Sequence, residues 1–229
     1  MRLAIIPARG GSKRIPRKNI KAFCGQPMIA YSIKAAIASG CFDKIVVSTD
    51  DEEIAQVARS YGAEVPFMRP RELSDDHTAT IPVIAHAISA SVNDVSEVEA
   101  VCCIYATAPF VQPAFIQEAY TKLKETQSSY CFSATSFPFP IQRAIRLTPD
   151  HHVEMFSPEH FMTRSQDLEE AYHDAGQFYW GTPEAWLEGK IIFAPHSSAI
   201  LLPRHLVQDI DTPEDWMRAE FMMRALSLA

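Results

Sequence analysis

Two adjacent glycines and a cluster of basic side chains stand close to the N-terminus, and together they suit phosphate binding. The stretch comprises Ala8, Arg9, Gly10, Gly11, Ser12 and Lys13. Glycine lets backbone N–H groups approach phosphate oxygens closely, because no side chain stands in the way. Arg9, Lys13 and Lys18 can supply charge to a triphosphate, and arginine can bind it in a bidentate way. The spacing is neither that of a P-loop nor that of a dinucleotide fingerprint. A plain solvated basic turn is the alternative.

The distribution of charge supports this interpretation. The first 42 residues contain eight Lys or Arg and no acidic residue before Asp43, whereas the whole chain carries −7. The N-terminal segment is therefore +8 and the remainder is −15 (−7 minus 8). A local positive region on an acidic protein suits a small polyanion such as a nucleotide. The overall acidity argues against a nucleic-acid partner.

A second pattern lies near the other end of the chain, where Asp209 and Asp211 flank Ile210 and precede Thr212 and Pro213. If this segment ends a strand, residues i and i+2 point to the same face. Two carboxylates there could share one Mg²⁺, which favours one or two carboxylates together with substrate phosphates and waters. The alternative is that Asp211 or Thr212 only caps the helix that begins at Pro213.

A third pattern interleaves polar, glycine and aromatic residues over 172–180, with Tyr172, Gln177 and Tyr179 as candidates. Such a mixture is typical of a pocket that stacks against a sugar and recognises its hydroxyl groups. A core strand that tolerates aromatic residues is the alternative. Upstream, Arg164 could offer a guanidinium to a substrate carboxylate.

Weaker signals come from loops after the second predicted strand. Arg69 and the stretch 78–80, which includes Ala79, could edge a nucleotide base. Residues 48–50 are interpreted as a helix cap, with Thr49 and Asp50 preceding Glu52 and Glu53. A secondary role near the substrate is the alternative.

These candidates need a scaffold, and the hydrophobic pattern predicts one. Continuous apolar runs predict strands over 2–8, 44–48 and 98–105, and helical spacing predicts helices over 27–39, 52–61, 78–91 and 113–124. This alternation implies a parallel sheet with right-handed crossovers. Ligands usually bind outside the carboxyl ends of such strands, where the glycine-rich stretch lies.

The alternation of predicted strands and helices ends after residue 136. Short strands joined by a turn at 148–151 are predicted within 144–155, and further strands over 177–180, 191–194, 199–202 and 207–211. A final amphipathic helix is predicted over 213–228. We expect one domain over 1–229, with an excursion at about 137–176 whose aromatic residues suggest a homodimer contact.

Composition excludes several classes of protein. No apolar run reaches the roughly 18 to 20 residues that a membrane helix needs, and no signal peptide is expected. The five cysteines show no metal spacing and no regular framework. We therefore expect a cytoplasmic protein with no membrane partner.

The motifs at the two ends resemble those of the CMP-sugar synthetases, the acylneuraminate cytidylyltransferase family, over nearly the whole chain. The family's opening motif is matched by Ala8, Arg9, Ser12, Lys13, Pro16, Lys18 and Asn19. Its closing Asp-Ile-Asp-Thr motif is matched by Asp209 to Thr212. The resemblance implies an α/β fold, a Rossmann-like doubly wound and mostly parallel sheet with a small β-rich dimerisation excursion.

The resemblance also implies roles for single residues. Arg9, Ser12 and Lys13 would hold the phosphates of CTP, Lys18 and Asn19 would approach the triphosphate and sugar, and Arg69 and Ala79 would border the cytosine. Asp211 with Asp209 would hold Mg²⁺, and Arg164 would serve the sugar acid, in its own site or across a dimer interface. The catalytic set expected is Arg9, Lys13, Lys18 and Asp211.

Two departures from the family pattern fall where the sugar would lie. Tyr105 through Pro109 replaces Leu-Gln-Pro-Thr-Ser-Pro, and His173 through Gly176 replaces Arg-Pro-Asn-Gly. Residues 163–179 are instead similar to the pseudaminate branch. The expected reaction transfers CMP from CTP to the anomeric hydroxyl of a nonulosonic acid, pseudaminic acid in the first place. N-acetylneuraminate, legionaminate or a catalytically silent sugar-nucleotide-binding module are the alternatives.

Overall fold

The computed structural model describes residues 1–228, and its regular elements alternate as the pattern predicts over the first half of the chain. The strands are β1 (Arg2–Pro7), β2 (Ala22–Phe23), β3 (Gln26–Pro27), β4 (Lys44–Ser48), β5 (Ala100–Ile104), β6 (Tyr130–Ser136), β7 (Ile145–Leu147), β8 (Val153–Met155), β9 (Tyr172–Gly181) and β10 (Ser197–Leu201). The α-helices are α1 (Met28–Ser39), α2 (Glu52–Ser60), α3 (Thr80–Ser91), α4 (Pro113–Thr126), α5 (Pro183–Leu187) and α6 (Pro213–Leu226).

Six strands form the central sheet in the order β10-β6-β9-β5-β1-β4. Strand β1 pairs in parallel with β4 and β5, and β10 pairs in parallel with β6. Strand β9 runs antiparallel between β5 and β6. The expected Rossmann-like, mostly parallel sheet is confirmed, with one antiparallel strand inserted.

Strand β1 supplies side chains to both faces of the sheet because successive residues point in opposite directions. Ala4 and Ile6 belong to the core cluster that holds residues of α1 and α4. Leu3 and Ile5 belong to the cluster that holds residues of α3 and α5. A strand covered on both faces must be apolar throughout, which is why β1 appears as a continuous hydrophobic run.

A third apolar cluster joins the two ends of the chain. It contains Ile15 and Phe23 from the N-terminal region, and Ile210, Trp216 and Ala219 from the C-terminal region. The rings of Phe23 and Trp216 meet edge to face at a centroid distance of 5.3 Å. This packing places the segment around Ile210 beside the glycine-rich stretch, although nearly two hundred residues separate them.

Two strand predictions are wrong. Residues 192–194 form bends, Ile191 and Phe193 are 70% and 62% exposed, and only Ile192 packs against a core cluster. Residues 207–211 are not assigned to any strand, and they pair with none within residues 1–228. Strand β6 was not predicted; its buried Ser133 and Thr135 interrupt the apolar pattern, and their hydroxyls donate to the backbone carbonyls of Phe178 and Leu202.

The excursion between β6 and β9 contains the predicted hairpin, formed by β7 and β8. Its turn is closed where the Thr148 N–H donates to the His152 carbonyl at 2.9 Å. Strand β9 begins at Tyr172, so the expected end of the excursion at 176 falls inside the central sheet. No helix among residues 1–228 is long and apolar enough to cross a membrane.

Candidate active site

A polar pocket of about 240 Å³ lies at the carboxyl ends of β1 and β5. Its lining residues include Arg9, Ser12, Lys13, Arg14, Lys18, Asn19, Arg69, Thr78, Thr80, Tyr105 and Asp211. The first and last thirds of the chain therefore meet in one cleft. This position is the usual ligand site of an open α/β sheet.

The glycine-rich loop is held by the segment that follows β4. The Asp50 carboxylate accepts a hydrogen bond from the Gly10 N–H at 2.9 Å. A Cβ at Gly10 would lie 2.8 Å from a carboxylate oxygen of Asp51, so a larger residue would fit only if the Asp51 side chain shifted. A Cβ at Gly11 would meet nothing within 4 Å, so no packing contact requires glycine there. Asn19 fixes the loop from the other side, since its Nδ2 donates to the Arg9 carbonyl at 2.9 Å.

This arrangement corrects the interpretation of residues 48–50 as a helix cap. The N-cap of α2 is Asp51, whose side chain accepts from the Ile54 N–H at 3.0 Å. Asp51 also pairs with Arg17, and that hydrogen bond lowers the pKa of the Asp51 carboxyl. Asp50 is thereby released from capping and positions the loop instead.

Two basic side chains of the cleft, Arg9 and Lys13, pair with the same aspartate, Asp76. Arg9 Nη1 lies 2.6 Å from Asp76 Oδ1 and also donates to the Asp75 carbonyl at 2.8 Å. Lys13 pairs with the same Asp76 carboxylate, and its hydrogen bond is the main cause of the lowered Asp76 pKa. These pairs keep Arg9 and Lys13 side by side, where an incoming anion could replace Asp76.

Asp211 engages the second half of the cleft. Arg14 Nη2 lies 2.8 Å from Asp211 Oδ2, and Lys18 Nζ lies 3.3 Å from Asp211 Oδ1. Lys18 also donates to the Ile210 carbonyl at 2.6 Å. Lys18 thus fastens the N-terminal loop to the C-terminal segment.

The expected base edge is partly preformed. Arg69 is only 6% exposed, and its guanidinium donates to both the hydroxyl and the carbonyl of Ser48 at the end of β4. Burial lowers the pKa of Arg69 from its usual value. Arg69, Thr78 and Thr80 line the pocket, whereas Ala79 is exposed between the two threonines as the N-cap of α3.

Thr212 and Asp215 form the capping box of α6, so capping does not use the carboxylates of the aspartate pair, and Asp211 pairs with Arg14 and Lys18 instead. The capping alternative is therefore satisfied by Thr212 and not by Asp211. Although Asp209 is an exposed residue, the chain packed around its carboxyl raises its pKa, and the charge of Asp211 raises it further. No group of three or more His, Cys, Asp or Glu residues within residues 1–228 could hold a metal. Two carboxylates suit Mg²⁺ when substrate phosphates complete its shell.

A second pocket of about 580 Å³ adjoins the first. Tyr105 lines both pockets, and the aspartate pair spans them, since Asp211 lines the first and Asp209 the second. The remaining lining residues of the second pocket include Thr135, Ser136, His173, Asp174, Arg204, Gln208 and Arg218. A ligand in this pocket could reach a ligand in the first across Tyr105 and Asp209.

Side chains behind the second pocket hold its wall. The hydroxyl of the buried Tyr179 donates to Asp174, and the Asp174 carboxylate also accepts from the Gly176 N–H at 2.9 Å. Burial raises the pKa of both Tyr105 and Tyr179, so both remain neutral donors. Gln177 is buried, and its amide donates to the Leu206 carbonyl at 2.6 Å. Tyr179 and Gln177 thus support the pocket rather than line it.

Two expected sugar residues lie elsewhere in this chain. Arg164 is exposed in the excursion and pairs with Asp167 at 2.6 Å. Tyr172 is also exposed and donates to Glu170 at 2.8 Å. Neither lines the two pockets.

Several site residues were missed from the sequence, namely Asp76, Arg204 and Arg218, whereas Asp50 belonged to the stretch interpreted as a helix cap with a secondary role near the substrate. They occupy loops and a helix with no distinctive spacing. The acidic Asp75–Asp76 pair beside the predicted base edge was the one available signal, because carboxylates there could pair with the basic side chains of the loop.

Comparison with known proteins identifies the family of this chain. The sequence profile of the family described as Cytidylyltransferase matches residues 3–225. A pseudaminic acid cytidylyltransferase of Campylobacter jejuni subsp. jejuni serotype O:23/36 is 52% identical over 222 residues, covering 97% of this chain and 96% of that protein. A CMP-N,N'-diacetyllegionaminic acid synthase of Legionella pneumophila is 34% identical over 228 residues, covering 96% and 95%.

Solved structures agree on the fold. A CMP:2-keto-3-deoxy-manno-octonic acid synthetase complexed with CTP superposes with a TM-score of 0.70 at 14% identity, covering 98% of each chain. A 4-diphosphocytidyl-2C-methyl-D-erythritol synthase of Anaerococcus prevotii superposes with a TM-score of 0.64. With a family match over nearly its full length and a relative that shares half its residues, this chain belongs to the cytidylyltransferase family.

Proposed function

We propose that this protein transfers CMP from CTP to the anomeric hydroxyl of pseudaminic acid, giving the CMP-sugar and pyrophosphate. The observation that carries the proposal is a pair of adjoining pockets, one cationic and one mixed, which meet at Tyr105 and the Asp209/Asp211 pair. Such a pair can hold two substrates with their reacting atoms at the junction. The 52% identical relative is named for this reaction.

The first pocket would hold CTP. Arg9, Ser12 and Lys13 would bind the β- and γ-phosphates together with the backbone N–H of Gly11, after the nucleotide displaces Asp76. The N–H groups of Ala8 and Gly10 donate to Ser48 and Asp50, so these two residues would shape the loop instead. Lys18 and Asn19 would keep the loop against the C-terminal segment, and the polar groups near Arg69 and Ala79 would border the cytosine.

Asp209 and Asp211 would hold Mg²⁺. When bound, the cation would neutralise charge on the phosphates and polarise the attacking hydroxyl. The chain itself would supply positioning and charge: Arg9 and Lys13 stabilise the leaving pyrophosphate, and Lys18 approaches the α-phosphate from beside Asp211. The new bond joins the anomeric oxygen to the α-phosphorus, the bond from that phosphorus to the bridging oxygen breaks, and the hydroxyl proton is released.

The second pocket would hold the sugar. Tyr105 can donate its hydroxyl proton, and Asp174 accepts hydrogen bonds only, with two of its lone pairs already used by Tyr179 and Gly176. Its remaining lone pairs would select O–H or N–H groups of the substrate. Gln177 and Tyr179 would fix this wall, while Tyr172 and Arg164 could reach a sugar only from a partner subunit.

Pyrophosphate release in the presence of CTP, Mg²⁺ and a panel of nonulosonic acids tests the proposal. We expect turnover with pseudaminic acid well above that with N-acetylneuraminate or legionaminate. Faster turnover with either of those sugars would reassign the substrate. Absence of pyrophosphate release with every sugar, while CTP still binds, would indicate a silent sugar-nucleotide-binding module.

We also propose that the active form is a homodimer built through the excursion. The supporting observation is a group of exposed apolar side chains in this segment, namely Phe139, Ile145, Leu147, Val153, Phe156, Phe161 and Met162. Exposed apolar groups of this kind mark interaction surfaces. Light scattering should give twice the chain mass of 25.6 kDa, and Leu147→Asp with Phe156→Asp should give the single mass.

A cytoplasmic location is proposed on chemical grounds. All five cysteines are free thiols within residues 1–228, and four of them are buried. Such usage is typical of a reducing compartment. Fractionation of the host cell would test this location.

A further inference from the structure

Two arginines of the second pocket have no partner among residues 1–228. Arg204 lies on the short turn Arg204–Leu206, and Arg218 lies on α6. Within the described chain neither guanidinium forms an ion pair or donates a hydrogen bond, yet both line the same pocket. The two groups therefore present unused donors and positive charge to one cavity.

The basic residues of the first pocket, in contrast, have carboxylate partners. There Arg9 and Lys13 both pair with Asp76, and Arg14 and Lys18 both pair with Asp211. Two guanidiniums without such partners are suited to an anion that arrives from solution, and a carboxylate matches their planar donors. Asp174 lines the same pocket, but its carboxylate accepts from Tyr179 and Gly176 and pairs with neither arginine in the described chain.

The chemistry of the proposed substrate fixes where its carboxylate must lie. In a 2-keto sugar acid the carboxylate is bonded to the anomeric carbon, which also carries the attacking hydroxyl. Its binding group must therefore stand within a few bond lengths of the aspartate pair. Arg204 and Arg218 share their pocket with Asp209, and Arg218 lies on the helix that begins two residues after Asp211.

We propose that Arg204 and Arg218 bind the carboxylate of the sugar acid and so orient the anomeric hydroxyl toward the α-phosphate of CTP. This inference rests on the proposed function and assigns its specificity for an acidic sugar to these two residues. Arg164 pairs with Asp167 in the excursion and does not line this pocket of its own chain.

The test combines substitutions with an altered substrate. Arg204→Gln and Arg218→Gln are compared with wild type on pseudaminic acid and on its methyl ester, which keeps the hydroxyl but lacks the charge. Arg224→Gln is the matched control, because Arg224 is an exposed arginine of the same helix that does not line the pocket. CTP affinity and thermal midpoint are measured for each protein.

Loss of one charge-assisted contact should raise the KM for the sugar acid roughly 10- to 100-fold in each pocket variant, with CTP affinity and thermal midpoint unchanged. The wild type should lose a similar factor on the ester, whereas the variants should discriminate little between acid and ester. Arg224→Gln should behave as wild type.

An unchanged KM for the acid in both pocket variants of an active enzyme would overturn the inference alone. Equal preference for the acid over the ester in variants and wild type would do the same. A wild type that acts on no sugar acid would instead overturn the proposed function, and the inference with it.

Discussion

Replacing Asp211 by asparagine removes one charge from the junction of the two pockets while keeping the shape of the side chain. In the structure this carboxylate pairs with Arg14 at 2.8 Å and with Lys18 at 3.3 Å, and its side chain is 40% exposed. Partly exposed pairs contribute roughly 0.2–1 kcal/mol each. The variant should therefore lose less than about 2 kcal/mol of folding free energy and remain folded, since Lys18 keeps its bond to the Ile210 carbonyl.

The effect on turnover should be far larger than the effect on stability. If Asp211 binds Mg²⁺, its loss removes a major electrostatic stabiliser and should lower kcat by about 10²-fold or more, about 2.7 kcal/mol of activation free energy. CTP binding without Mg²⁺ should be retained or tightened, because a negative charge leaves the pocket that must hold a triphosphate. Calorimetry gives the CTP affinity, and pyrophosphate release titrated with Mg²⁺ gives kcat.

Glu214→Gln is the matched control, since Glu214 is an exposed acidic residue in the first turn of α6 that lines neither pocket. It should change neither kcat nor the Mg²⁺ requirement. Near-normal turnover of Asp211→Asn at the Mg²⁺ concentration that saturates the wild type would refute the metal assignment.

Three further predictions follow from the loop and its supports. Gly10→Ala should lower the free energy of unfolding by roughly 1–3 kcal/mol, because the new Cβ would lie 2.8 Å from Asp51. Gly11→Ala, whose Cβ would meet nothing within 4 Å, should lower it clearly less in the same urea titration. Equal losses would contradict the steric argument. Asp76→Asn should lower the KM for CTP several-fold without changing the KM for the sugar, because CTP no longer competes with the carboxylate for Arg9 and Lys13. Asp51→Asn should be less stable than wild type above pH 3.8, the ordinary pKa of the carboxyl. Arg17 lowers the pKa of Asp51 in the folded state, so the difference in unfolding free energy between wild type and variant should vanish as the pH falls through that lowered pKa and Asp51 is protonated. A difference that does not depend on pH would refute this role of the Arg17 pair.

Strands covered on both faces were predictable because burial requires an unbroken apolar run, as in β1 and β5. Strand β6 was not, because its buried hydroxyls become acceptable only when partners from β9 and the segment after β10 accept their hydrogen bonds. The apolar residues at 191–194 led to the opposite error. Hydrophobic composition alone does not provide a neighbouring strand.

Some residues of the candidate site were likewise predicted from the sequence, and others were not. Arg9, Lys13 and Asp211 were found because charge, glycine and spacing are properties of the sequence. Arg204 and Arg218 were not found, because the sequence does not show whether an arginine has an ion-pair partner in the folded protein.

The sequence by itself determined the chemistry of this protein: a basic, glycine-rich loop at one end and an aspartate pair at the other, on an alternating α/β chain. Only the tertiary structure decided how these parts are used. The cluster of Ile15, Phe23, Ile210 and Trp216 brings the two ends together, and the capping of α6 by Thr212 leaves Asp211 free to face the loop. Burial against distant segments and competition for hydrogen bonds made those decisions, and both depend on contacts that no local stretch of sequence contains.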